Sequence, residues 1–97
     1  MDKCEKIKEI IKLHREELNE KYKVREIGIF GSYVRKEVKK RSDLDILVEF
    51  REPIDFFEFL KLEEYLSGIL KVKVDLVMKK ALKPVIGKNI LKEVAYV

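Results

Sequence analysis

Ser42-Asp43-Leu44-Asp45-Ile46-Leu47-Val48-Glu49-Phe50 alternates polar and apolar residues with a period close to two. That period is the mark of a β-strand, because successive side chains leave opposite faces. Leu44, Ile46, Val48 and Phe50 share one face, while Asp43, Asp45, Leu47 and Glu49 share the other. One face therefore belongs to a core. The other carries two carboxylates roughly 6.6–7 Å apart along the backbone. Charges held that close repel each other, a state relieved by water or by a cation between them.

Reading outward, residues 24–30 are apolar and β-branched and are closed by Gly31, which predicts an earlier strand. Ser32 then caps a short helix in which Val34 and Val38 lie one turn apart, with Lys39, Lys40 and Arg41 near its C-terminus. Before that strand, Cys4, Ile7, Ile10, Ile11 and Leu18 recur at helical spacing, an amphipathic helix over residues 4–18. Downstream, Pro53 ends the acidic strand. Asp55 with Glu58 forms a capping box for a helix carrying Phe56, Phe59, Leu60 and Leu66 and stopping at Gly68. Residues 72–78 read as a third strand, and Pro84 opens a last helix with Ile86, Ile90, Leu91 and Val94. The expected class is α+β, in the order α-β-α-β-α-β-α. It comprises a three-stranded sheet, open to extension, flanked by about four helices.

Asp75 interrupts the apolar run Val72-Lys73-Val74-Asp75-Leu76-Val77, where an acid is unexpected for a core strand. If the second and third strands are neighbours, Asp43, Asp45 and Asp75 converge. Three hard oxygen donors in one small site suit Mg²⁺ or Mn²⁺. Gly31 and Ser32 follow a strand and open a helix, where free N–H groups attract phosphate and glycine lets it approach closely. The first strand ends at this site and the second begins there. The two must run antiparallel, so the sheet is expected to be mixed.

These residues resemble the DNA polymerase β-type nucleotidyltransferase superfamily: Gly31-Ser32, ten residues, Asp43-Leu44-Asp45, and a later Asp75. The segments 28–35 and 42–50, with Val74-Asp75-Leu76-Val77, Leu82-Lys83-Pro84 and Ile90-Leu91-Lys92-Glu93-Val94, resemble its minimal (MNT) group over essentially residues 5–97. The resemblance implies that Asp43, Asp45 and Asp75 are catalytic and hold two Mg²⁺ or Mn²⁺ ions, with Asp75 near the attacking hydroxyl. It further implies that Gly31 and Ser32 contact the triphosphate of ATP. Arg35 joins them as a candidate nucleotide-binding residue. The family commonly has glycine where this chain has Lys36, which bears on the shape of the short helix and leaves the acids untouched. Members of the MNT group resemble antitoxins whose partner is a helical HEPN toxin, and some adenylylate a tyrosine on it. Little chain follows Asp75, so the acceptor is expected to come from another protein.

Composition narrows the classes further. Ninety-seven residues suit a single domain, 1–97. The net charge of +4 is spread along the chain and falls short of a nucleic-acid-binding signature. Cys4 is the only cysteine, which rules out an internal disulfide and fits a reducing compartment. No apolar stretch approaches a membrane span, and a soluble, cytoplasmic protein is expected. Lys and Glu are the commonest residues, a bias shared with heat-adapted proteins. Homo- or hetero-oligomerisation stays open.

Plainer readings stand beside these. For Asp43 and Asp45 alone, a solvated strand face weighs as much as metal binding, and a glycine–serine turn needs no ligand. Adding Asp75 at this spacing favours metal. Arg35 pairs with phosphate or with an acid such as Glu37, and Glu49 reads as an ordinary surface acid. His14 reads as a half-buried structural histidine, and Cys4 as a small apolar residue. Phe56, Phe57, Phe59 and Tyr65 exceed what one buried face needs; core packing is their default and a partner surface the alternative. Two other functions stay in play: an antitoxin that acts by binding alone, and an adenylyltransferase for a small-molecule or RNA hydroxyl.

Overall fold

A computed structural model describes residues 2–39 and 42–97. Helices α1 (Lys3–Leu13) and α2 (Arg15–Tyr22) precede strand β1 (Val24–Phe30), and the short helix α3 (Ser32–Arg35) leads to β2 (Leu44–Phe50). Helix α4 (Phe56–Leu70), β3 (Val74–Met78), a 3-10 turn (Lys79–Ala81), α5 (Pro84–Glu93) and β4 (Ala95–Tyr96) follow. The four strands form one sheet in the order β3-β2-β1-β4. β1 runs antiparallel to β2 and β4, while β2 and β3 are parallel, so the sheet is mixed as expected.

The period-two pattern of β2 decides the layering. Leu44, Ile46 and Val48 are buried with Ile27 and Ile29 of β1 and Val74 and Leu76 of β3. Against them pack Ile7 and Ile11 of α1, Leu18 of α2, Tyr33 of α3, and Leu62, Leu66 and Leu70 of α4. Burying such aliphatic side chains stabilises by roughly 1.5–3 kcal/mol each. The core thus lies between one sheet face and four helices, and the opposite face carries Asp45. No helix among the described residues is long and apolar enough to cross a membrane.

The elements depart from expectation at their ends. The first predicted helix is two, broken at His14, whose ring nitrogen Nδ1 lies 2.8 Å from the Ile10 carbonyl oxygen. Among the described residues, five helices therefore stand where about four were expected. Gly31, not Ser32, is the N-cap of α3. That helix ends at Arg35, because Lys36 turns left-handed at φ 61°, leaving Val38 and Lys39 outside it. Lys40 and Arg41 lie outside the described residues. Helix α4 keeps its capping box but runs through Gly68 to Leu70; Lys71, at φ 56°, supplies the left-handed terminus. Burial of Leu70 offsets the cost of glycine within the helix. β3 starts at Val74 instead of residue 72. The fourth strand is too short for periodicity to reveal: β4 pairs only Gly28 with Tyr96 and Ile29 with Ala95.

Candidate active site

Register builds the site. Asp45 sits directly opposite Asp75 across the parallel β2–β3 pair and opposite Phe30 across β1. Leu44 and Val74 are both buried, which turns the residue after each toward the other face. A one-residue slip would reverse this, so the apolar pattern aims both carboxylates. Asp75 is exposed and Asp45 half-buried. Asp43, just ahead of β2, is half-buried, with Oδ2 4.0 Å from Lys73 Nζ.

Like charges directly opposite one another destabilise a sheet. The load falls on Asp45: burial, then the charges of Asp75 and Asp43, push its carboxyl above the ordinary range, and Arg35 pulls it back. Gly31 closes the other side. Its backbone stands at φ 80° and ψ −151°, and a Cβ there would lie 2.1 Å from Asp45 Oδ2. Glycine is therefore required twice, for its dihedral angles and for the space its missing side chain leaves to the carboxylate. Ser32 is half-buried one residue on.

Of the two readings of Arg35, phosphate or a nearby acid, the structure shows the acid: its Nε donates to Glu37 at 3.1 Å, and its Nη1 donates to a second acid, Glu93, at 2.7 Å. Glu93 was not anticipated. It closes α5 and accepts the Gly31 N–H at 3.0 Å. Burial raises its carboxyl, but Arg35 and the Gly31 N–H outweigh this and leave it below the ordinary value. One signal was present: Glu93 follows Ile86 and Ile90 at four-and-three spacing, an acid on the apolar stripe. Glu49 lies 3.9 Å from Arg25, as befits a surface acid.

Among the described residues, no three acids are drawn tight enough to enclose an ion. The donor set is instead an open one, with two opposed carboxylates and a third at the strand's start. Mg²⁺ commonly keeps several waters and binds one or two carboxylates together with substrate phosphates. The repulsion focused on Asp45 is what such an ion would relieve, so the residues fit a divalent cation.

Comparison with known proteins places the fold. The pattern of the nucleotidyltransferase domain family matches residues 11–97. The protein adenylyltransferase MntA of Thermococcus cleftensis is 54% identical over 93 residues, covering 96% of this chain and 94% of the relative. A solved toxin–antitoxin complex with AMP-PNP contains a chain 28% identical, with a TM-score of 0.73, covering 93% of this chain and 70% of that one. A complex of tri-AMPylated Shewanella oneidensis HEPN toxin with MNT antitoxin gives 27% identity and a TM-score of 0.64, covering 93% and 66%. The opposed aspartates and the glycine turn thus stand on a shared fold, and the chain belongs to the nucleotidyltransferase domain family and, within it, to the minimal nucleotidyltransferases.

Proposed function

We propose that this chain is a metal-dependent protein adenylyltransferase that moves AMP from ATP to a tyrosine hydroxyl of a helical HEPN-type toxin and so acts as its cytoplasmic antitoxin. The observation that carries the reading is Asp45 opposite Asp75, with the Gly31 backbone packed against the Asp45 carboxylate. The relative named MntA and the AMPylated toxin complex support the choice of acceptor, and the AMP-PNP complex supports the nucleotide.

Asp43, Asp45 and Asp75 would hold two Mg²⁺ or Mn²⁺ ions. Bound there, such ions would lower the pKa of the attacking hydroxyl and would steady the leaving diphosphate. The chain's own residues do the rest. The turn at Gly31 and Ser32 faces the triphosphate with backbone N–H and hydroxyl donors, and Arg35 supplies a counter-charge. The acceptor oxygen bonds to the α-phosphorus, the α–β phosphoanhydride bond breaks, and diphosphate leaves. Asp75, the exposed member of the trio, accepts the hydroxyl proton.

The test mixes the chain with α-labelled ATP, Mg²⁺ and a helical HEPN-type toxin. Label on that protein, lost with Asp45→Asn, is expected. A variant lacking all three carboxylates that still neutralises the toxin would instead point to an antitoxin acting by binding alone.

A further inference from the structure

The end of α5 and the turn after β1 are joined by a clasp through Glu93, a residue to which the proposed chemistry gives no role. Both Glu93 oxygens are engaged: Oε2 accepts the Gly31 N–H at 3.0 Å, and Oε1 accepts Arg35 Nη1 at 2.7 Å. The Glu93 side chain is only 21% exposed. The backbone donor and the cation beside Asp45 are thus already holding an anion. Glu93 also adds a further negative charge to those acting on Asp45. A polyphosphate entering here meets the Glu93 carboxylate at close range while the groups that would neutralise it are taken. The carboxylate and a phosphate oxygen want the same two partners, and both cannot have them.

We infer that Glu93 is an internal anion which a phosphate of the bound nucleotide replaces, taking over the Gly31 N–H and Arg35 and releasing the end of α5. This rests on the nucleotidyltransferase reading and adds a gating residue to it. Release has a structural consequence. Glu93 stands two residues before β4, which pairs with β1 at only two positions, and the Val97 N–H donates to Ile27 O at 2.9 Å beyond them. Nucleotide entry therefore loosens the C-terminal strand. A clasp that merely held the site in shape would act with the opposite sign, since breaking it would cost affinity.

The experiment is calorimetric titration of the full chain with ATP and Mg²⁺, comparing the unmutated protein with Glu93→Gln, Glu93→Ala and Arg35→Ala. Both Glu93 variants are expected to bind about three- to tenfold tighter, because the competing state is gone. Arg35→Ala is expected to bind more weakly. Equal or weaker binding by Glu93→Gln, whose shape is conserved, overturns the inference. Hydrogen exchange on the unmutated chain gives a second reading: ATP with Mg²⁺ should speed exchange at the Val97 amide, and unchanged or slower exchange there contradicts release. If the unmutated chain and the Glu93 variants all fail to bind ATP, the proposed function falls and this inference with it.

Discussion

Replacing Gly31 by alanine tests the site where geometry is most demanding. The first cost is conformational: φ 80° and ψ −151° lie in a region essentially restricted to glycine, and holding another residue there costs roughly 1–3 kcal/mol. The second is steric. The new methyl would stand 2.1 Å from Asp45 Oδ2, 3.0 Å from its Cγ and 3.3 Å from its Cβ. The carboxylate must swing aside, an off-rotamer displacement of about 0.5–1.5 kcal/mol. Gly31→Ala should therefore destabilise by about 1.5–4.5 kcal/mol, lowering Tm by about 6–36 °C in a chain this size. Guanidinium and thermal unfolding in metal-free buffer measure it. In an Asp45→Ala background the steric part disappears and the conformational part remains, a coupling of about 0.5–1.5 kcal/mol. A Gly31→Ala cost below about 0.5 kcal/mol, or one identical in both backgrounds, would refute the reasoning.

Three further outcomes are expected. Asp45→Asn should stabilise the metal-free fold by about 0.5–1 kcal/mol at neutral pH by removing like-charge opposition, as chemical denaturation would show. Because burial, Asp75 and Asp43 raise the folded Asp45 carboxyl above its unfolded value, its contribution is full at low pH. That contribution is lost as pH climbs from the unfolded value through the folded one, so the gain from Asn should vanish below about pH 3. Lys36→Gly should stabilise by about 0.5–1 kcal/mol, since the left-handed φ of 61° strains a lysine and not a glycine. Unfolding midpoints test this; no change or a loss would contradict it. Tyr65, whose hydroxyl donates to Glu17 at 2.9 Å, is pushed up to about 12 by burial and then by that acid. A spectrophotometric titration should find one tyrosine ionising near that pH, and Tyr65→Phe should remove it.

Much of the site was legible because it follows from period and register. The alternation through β2 separates core aliphatics from acids, and the same alternation in β3 puts Asp75 beside Asp45 once the strands pair. What escaped were features set by tertiary contact. Nothing local distinguishes Lys36 or Lys71 as a left-handed helix terminus, because lysine has no preference for that conformation. Gly68 looks like a stop signal, yet the helix continues for the sake of Leu70. β4 exists because Ala95 and Tyr96 find an open edge at Gly28, where a Cβ would lie 2.7 Å from Val94 Cγ2. Glu93 meets Arg35 across 58 residues of chain, a separation at which spacing carries no information. Phe56 and Phe57, assigned to the core by default, are 69% and 73% exposed, because the buried stripe of α4 is Leu62, Leu66 and Leu70.

The most direct measurement is manganese uptake, followed by electron paramagnetic resonance in the presence of a non-hydrolysable ATP analogue. Two ions per chain are predicted, with most of that uptake abolished by Asp45→Asn or Asp75→Asn while the fold persists. An unmutated chain that takes up no manganese, or variants that take up as much as the original, would contradict the claim that these opposed carboxylates form the reaction centre.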